Sequence, residues 1–237
     1  MKSTPIKSKK EAVREMFDNI APRYDFLNHF LSMGIDKKWR RRIRKEMSKQ
    51  NPNNILDIAT GTGDLAFELA KLKPDKITGI DISGKMLEIA RKKAIKKKLQ
   101  DRVFFKAEDG SNMSFENNTF DAASIAFGVR NFENPEAGLR DIYRVLKPGG
   151  KIYILEFGMP EKQPIKGIYK FYFLKILPFF GKLFSGNKKA YKYLPDSVGN
   201  FLYGERFMEL MEKSGFNSVA ANRLSKGIAF IYTGIKK

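Results

Sequence analysis

Two glycines and two carboxylates carry the first chemical signal in this chain. Ile55-Leu-Asp57-Ile-Ala-Thr-Gly61-Thr62-Gly63-Asp64 runs a short apolar stretch into a glycine loop, and Gly79-Ile-Asp81 ends the next apolar run on an acid. Glycines at such a turn let the backbone approach a ligand closely, and a carboxylate after the second strand takes the two hydroxyls of a ribose. The pattern predicts a nucleoside-cofactor site with two eligible occupants. Gly61-Thr-Gly63-Asp-Leu-Ala66 also satisfies G-x-G-x-x-A, so NAD and S-adenosylmethionine (SAM) both suit the loop. Asp81 follows Gly63 by 18 residues (81 − 63), which is compatible with either.

The elements that must position these residues follow from the apolar pattern. Strand candidates lie at 55–59, 76–80, 103–107, 120–127 and 150–157, separated by helical segments near 64–73, 84–98 and 133–147. That alternation predicts an α/β fold with a doubly wound, Rossmann-like sheet. Lys147-Pro-Gly-Gly150 is expected to stop a helix and launch the fifth strand. Two more runs, 218–224 and 228–234, flank Ser225-Lys-Gly227 and complete about seven strands, the last antiparallel. Residues 11–237 are expected to form one domain after a disordered basic tail at 1–10. Within it, 11–50 reads as a helical lid. Its first helix is predicted to end at Ala21-Pro22, a second to begin within 24–31, and Trp39–Arg44 to form a basic helix. Residues 158–203 read as an apolar helical insertion, with seven aromatics between Ile168 and Phe184 interrupted by Lys170, Lys175 and Lys182. Two readings of it stay open: a hairpin packed on the core, or a cap over a greasy substrate that also touches a membrane.

Composition removes several chemistries. There is no cysteine, so disulfides, thiolate metal sites and a cysteine nucleophile are excluded, and the single His29 argues against a histidine zinc site and a serine-type triad. No charge-free apolar run reaches about 18 residues, so no membrane span is expected. The basic N-terminus lacks the apolar core of a signal peptide, which predicts a cytoplasmic protein. Forty-five Lys and Arg against 26 Asp and Glu give a formal charge of +19. That favours polyanions such as an anionic leaflet or nucleic acid, and it equally fits lysine-rich solvated helix faces.

A second acid separates the two cofactors. Phe105-Lys-Ala-Glu-Asp109-Gly110 ends the third strand candidate on a carboxylate that can take an adenine amino group, with Gly110 leaving room for the ring. A dehydrogenase would also need a second domain or a Tyr/Lys pair, for which 237 residues leave little space. SAM is therefore expected, with no metal. Asp57–Asp64, Asn118-Thr-Phe-Asp121 and Leu146-Lys-Pro-Gly-Gly150 then resemble the class I SAM-dependent methyltransferases. Longer signatures narrow this. Phe17-Asp-Asn-Ile-Ala-Pro-Arg-Tyr-Asp-Phe-Leu-Asn28, Leu31-Ser-Met-Gly34, Trp39-Arg-Arg41, Ala126-Phe-Gly-Val-Arg-Asn131, Tyr143–Gly150 and Tyr193-Leu-Pro-Asp-Ser197 are similar to the UbiE/MenG quinone C-methyltransferases.

The resemblance implies methyl transfer from SAM to a ring carbon of a demethylmenaquinol, or of the benzoquinol precursor of ubiquinone. It implies Thr62, Asp81, Asp109 and Gly110 as SAM contacts, with Gly61 and Gly63 as close-approach glycines, Asp57 orienting the loop and Ala126 contributing backbone. Where this chain has Asp109-Gly110 the family often has an asparagine-alanine pair. A serine is common where Ala126 stands, and a histidine where Asp36 stands. His29 has no counterpart in the motif. Arg130, Asn131, Tyr24 and Asp25 are the candidate catalytic residues, with Asn28 next. Arg130 is expected just past a strand end, where it could polarise a quinol oxygen or merely pair with an acid. The implied partners are an isoprenoid quinol and an anionic membrane surface at the inner face, with a homodimer left open. A nucleic-acid methyltransferase is the competing reading, but Ala126-Phe-Gly-Val replaces the Asn/Asp-Pro-Pro-aromatic loop of base-amino methylases. A scaffold role is the third reading, and the intact glycine loop with both acids speaks against it.

Overall fold

Ile55, Leu56 and Ile58 on one strand are all within 1% of full burial, although neighbouring side chains of a strand point to opposite faces. Both faces of this sheet must therefore be covered, the situation of a parallel sheet between helical layers. In the computed structural model, which describes residues 8–172, 193 and 196–237, seven strands form one sheet in the order β3-β2-β1-β4-β5-β7-β6. β1 (Asn54–Ile58), β2 (Lys76–Asp81), β3 (Val103–Ala107), β4 (Phe120–Ala126) and β5 (Leu146–Phe157) run parallel. β6 (Asn217–Leu224) and β7 (Ala229–Ile235) close the sheet antiparallel, with β7 inserted beside β5. The doubly wound fold expected from the sequence is thus observed.

The two core layers follow the period of two. Leu56, Ile58, Ile125 and Ile154 pack with Leu139 and Ile142 of α5 (Pro135–Val145) and with Phe207 and Met211 of a late helix (Glu205–Lys213). Ile55, Ile77, Ala122, Tyr153 and Leu155 face the other way, onto Leu65 and Leu69 of α3 (Asp64–Leu69) and Trp39, Ile43 and Met47 of α2 (Ile35–Met47). α4 (Gly84–Lys96) begins on a Ser83 side-chain cap of the Met86 N–H. α6 (Ile165–Phe171) opens the described part of the insertion, so the Glu205–Lys213 helix is α7 here. Phe173, Phe179, Phe180 and Phe184, counted above in the insertion, lie outside the described residues.

Three expectations are corrected. α1 is one helix over Lys9–Leu31 and passes through Pro22 instead of ending there. The proline removes one backbone hydrogen bond, and side-chain ties on either side of it offset the loss. Asp18 accepts from the Ser83 hydroxyl at 2.6 Å, Asp25 accepts from the Thr62 hydroxyl, and Phe17 meets Tyr24 edge-on at 5.9 Å. The helix also starts inside the expected tail. Ser8 and Glu11 form a reciprocal capping box, so Lys9 and Lys10 are ordered and make contacts. Finally, β5 starts at Leu146, because Leu146 pairs with Phe120 and Lys147-Pro-Gly-Gly150 is absorbed as an irregularity in the ladder.

Candidate active site

The strand order reverses between β1 and β4, and open sheets bind ligands beyond the carboxyl ends of strands at such a point. Both loops leaving that point are backbone-strained. Ala59 after β1 has φ 51°, and Phe127 after β4 has φ 58°, a conformation that costs a bulky residue about 1–2 kcal/mol. Phe127 is held there by its N–H bond to the Leu155 carbonyl at 2.8 Å and by stacking on Phe157 at 4.3 Å. Strain of this kind collects where a site needs it.

Two cavities open at the switch point and share the walls Phe17, Tyr24 and Phe127. The first, of about 210 Å³, is lined by Gly61, Asp81, Ile82, Met86, Asp109, Gly110, Ala126 and Asn131, with Lys10, Val13, Phe17 and Tyr24 of α1 across the top. Asp81 is fixed from two sides: Oδ2 accepts the Gly61 N–H and Oδ1 the Ser83 N–H, both at 2.8 Å. Burial pushes its carboxyl up to about 6, with nearby Asp18 adding to the rise and the two N–H groups opposing it. Asp109 is also partly desolvated, but Lys10 at 2.6 Å and the Ser111 N–H outweigh this and hold it below its ordinary value.

These residues fit SAM better than a dinucleotide. Among the described residues, Asp81, Glu108, Asp109 and Glu133 put four carboxyl groups around the cavity against the single ammonium of Lys10. Such a wall repels a pyrophosphate and attracts a sulfonium cation. Asp81 and Asp109 would hold the hydroxyls and amine of the nucleoside, and Ile82 and Met86 supply apolar surface for its ring. Gly61, with φ 56°, faces the lid, and a Cβ there would lie 3.9 Å from Tyr24.

Other expected contacts have a different place. The Thr62 hydroxyl is 2% exposed, donates to Asp25 and accepts from Lys93 at 3.0 Å, and does not line the cavity. Asp25 also pairs with Lys93, so it clamps the lid to the loop and to α4. Gly63 has φ 87°, and a Cβ there would come within 2.7 Å of the Phe67 ring, so it serves the start of α3. Gly110 does line the cavity, and a Cβ there would lie 2.5 Å from Ile58, so the glycine also meets a packing requirement beneath it. Asp57 is buried under the loop, accepting from Thr60 and Ser124 at 2.6 Å each, and burial raises its carboxyl to about 6.

The second cavity, of about 470 Å³, lies between the lid and α6 and is mainly apolar and aromatic. Trp39, Phe127 and Phe157 form one wall, and Trp39 donates to the Ser225 hydroxyl at 3.1 Å. Polar atoms come from Tyr24, Asn28, Arg40, Arg130, Tyr169 and Tyr193, and also from Ser32, Asp36, Lys38 and Tyr172. Arg130 does pair with an acid: its Nη1 donates to Glu156 Oε1 at 2.7 Å and to the Phe127 carbonyl at 2.6 Å. Glu156 is fully buried and also accepts the Phe157 N–H at 2.9 Å. Tyr193 donates to Asn131 at 3.0 Å, and Arg130 Nε reaches Ser197 at 3.4 Å, so the Tyr193–Ser197 signature clasps the Arg130-Asn131 pair. Burial keeps Tyr24 above its ordinary value, although Asn28, Arg130 and Arg40 oppose the rise. It is a phenol donor at neutral pH.

Sequence reasoning missed Glu156 and Arg40. Glu156 had a signal, since an acid ending Ile152-Tyr-Ile-Leu-Glu156 in a doubly covered strand requires a cation. At the position of the family's frequent histidine, Asp36 bonds His29 Nδ1 at 2.8 Å and the Ser32 hydroxyl at 2.6 Å, and pairs with Arg40. Burial raises Asp36, but Ser32 and Arg40 outweigh it and hold the group below its ordinary value, so it is a poor base. His29 joins Asp36 to Asp64, at 3.3 Å on its other nitrogen, and does not line either cavity.

Comparison with known proteins agrees with this geometry. Residues 4–236 match the model of the ubiE/COQ5 methyltransferase family. The chain is 46% identical to the ubiquinone/menaquinone biosynthesis C-methyltransferase UbiE of Geotalea daltonii, covering 98% of this chain and 99% of the relative. It is 43% identical to a demethylmenaquinone methyltransferase of Bacteroides fragilis, covering 96% and 94%. A solved SAM-dependent methyltransferase from Aquifex aeolicus shares the fold, with TM-score 0.59 at 19% identity over 82% of this chain and 89% of that one. The chain is a SAM-dependent C-methyltransferase and belongs to the ubiE/COQ5 methyltransferase family.

Proposed function

We propose that the protein methylates a ring carbon of demethylmenaquinol, the last step of menaquinone formation. The observation that carries this is the pair of adjoining cavities, one acidic and one aromatic, with Phe17, Tyr24 and Phe127 common to both. A hydrophilic donor and a greasy acceptor can then meet at one shared wall. SAM supplies an activated methyl group, and the reaction as proposed calls on no metal. Asp81 and Asp109 hold the donor, while α1 covers it and excludes water.

The acceptor must lose a hydroxyl proton for its ring carbon to become nucleophilic. Among the described residues the sole acid lining the apolar cavity is Asp36, which is saturated and weakly basic. Arg130 therefore acts by electrostatics: its guanidinium stabilises the quinolate, lowering the pKa of the hydroxyl so that solvent accepts the proton. Glu156 aims Arg130, Asn131 with Tyr193 joins that corner to the cofactor wall, and Tyr24 donates to a quinol oxygen. In line alignment of the two reactants supplies the rest.

The menaquinone branch is supported by relatives such as the Bacteroides fragilis protein, whereas the Geotalea name covers ubiquinone as well. Residues 11–50 act as lid and 158–203 as substrate cap within one domain, and the charge of +19 supports peripheral docking on an anionic inner leaflet. Quinone profiling of a deletion strain by mass spectrometry tests the assignment. Accumulated demethylmenaquinone is expected, and an unchanged quinone pool would exclude it.

A further inference from the structure

Resting on the reading of the second cavity as a quinol site, we propose that its mouth is a bilayer-inserting port. The quinol enters sideways from an anionic leaflet while its isoprenoid tail stays among the acyl chains. Met33, in the turn between α1 and α2, and Ile168, on α6, both line the apolar cavity and are 87% and 65% exposed. A side chain that lines a cavity and is this open to solvent stands at the rim. These two come from the lid and from the insertion, so each side of the opening carries an exposed apolar side chain, with the exposed Lys38 beside Met33 on the lid side.

The surroundings extend the same character. Phe171, one helical turn beyond Ile168, is 62% exposed, and Phe26 and Phe30 on the last turns of α1 are 59% and 46% exposed and stack at 5.8 Å. Among the described residues eight large hydrophobic side chains are exposed, and five of them fall on these two segments. Scattered apolar residues are normal on a surface, whereas a cluster framing one opening marks an interaction site. The polar neighbours say which partner. Across 33–42 and 162–171 the exposed charges include Lys37, Lys38, Arg41, Lys162, Lys166 and Lys170, and the single acid, Asp36, is buried. An apolar crest ringed by cations matches the boundary between anionic headgroups and acyl chains.

The experiment uses the full chain with two kinds of vesicle, phosphatidylglycerol-rich and purely zwitterionic, and two acceptors, a long-tailed demethylmenaquinol in vesicles and a tail-less water-soluble one. The variants are Phe171→Glu, Phe30→Glu and the pair Lys166→Gln/Lys170→Gln, all at exposed sites outside the cavity lining. Flotation of the wild type with anionic vesicles is expected, with partition reduced at least about tenfold in each variant. Turnover of the vesicle-borne quinol should fall in parallel, and turnover of the tail-less quinol should hold. Flotation equal to wild type in all variants would overturn the port, as would a wild type that binds neither vesicle. Concentration-dependent dimers abolished by the same variants, without vesicle binding, would assign the patch to a second copy instead. If the wild type turned over neither quinol, the substrate assignment would fail, while flotation would still report on the port.

Discussion

SAM affinity should fall on acidification through a single group, Asp81. Its carboxyl titrates near 6 because it is buried beside Asp18, and its two oxygens already accept the Gly61 and Ser83 N–H groups. A proton would occupy the lone pair that a ribose hydroxyl needs, so the anion is the binding form. With a pKa of about 6, roughly nine-tenths of the protein is competent at pH 7 and roughly one-tenth at pH 5, a loss of about tenfold in affinity. Calorimetric titration with SAM across that range measures it directly, and proton release on binding should peak below pH 6. Asp81→Asn supplies the control. Its amide can accept from one of the two N–H groups and faces the other with a donor, so affinity should drop by about 1.5–3 kcal/mol. What remains should lose the pH dependence. An affinity constant within twofold from pH 5 to pH 8, or an Asp81→Asn variant that keeps the slope, would show that Asp81 does not control SAM binding. The same raised pKa has a stability consequence. The folded protein holds Asp57 and Asp81 protonated where the unfolded chain has lost those protons, so stability falls as pH rises from about 3.8 through about 6.

Other perturbations separate structure from chemistry. Arg130→Met should lower kcat by about 10²–10³ and destabilise the fold by about 3–5 kcal/mol in urea melts, because it strands buried Glu156. Adding Glu156→Met should restore most of the stability and none of the activity. Gly110→Ala should cost about 1–3 kcal/mol through the 2.5 Å approach to Ile58, with a lowered Tm as the readout. Asp25→Asn should loosen α1 over the cofactor cavity, seen as faster amide exchange in Lys9–Leu31 and a weaker SAM affinity, with kcat at saturating SAM nearly kept. The chain has one tryptophan, Trp39, in the apolar cavity wall, so quinone binding should quench its emission saturably, and Arg130→Met should leave that quenching in place.

The sheet was legible because its strands are buried on both faces. Ile55-Leu-Asp-Ile58 and Ile77-Thr-Gly-Ile80 carry apolar side chains on both faces over strand length, and the observed bounds of these two strands fall within a residue of 55–59 and 76–80. Asp81 and Asp109, which share the wall of the first cavity, were legible for a related reason, since Asp81 ends the second strand and Asp109 follows the third by two residues. Features created by tertiary contact were not. Pro22 reads as a helix end until Asp18 and Asp25 on either side are seen tied to Ser83, Thr62 and Lys93. The clasp of Tyr193 and Ser197 on Asn131 and Arg130 spans more than 60 residues and exists only because the insertion returns to the end of β4. Thr62 misled because a hydroxyl in a glycine loop suits a ligand and a lid equally, and here Asp25 takes it. His29 meets Asp36 through helix geometry around the Ser32–Gly34 turn, which spacing alone does not reveal.

The most direct test is a single turnover reaction with isotopically labelled methyl-SAM and a short-tailed demethylmenaquinol, analysed by mass spectrometry and NMR. One labelled methyl is expected on the unsubstituted ring carbon, with loss of that ring proton and no labelled ether. Label on a quinol oxygen, or no transfer by a protein that binds SAM, would contradict it.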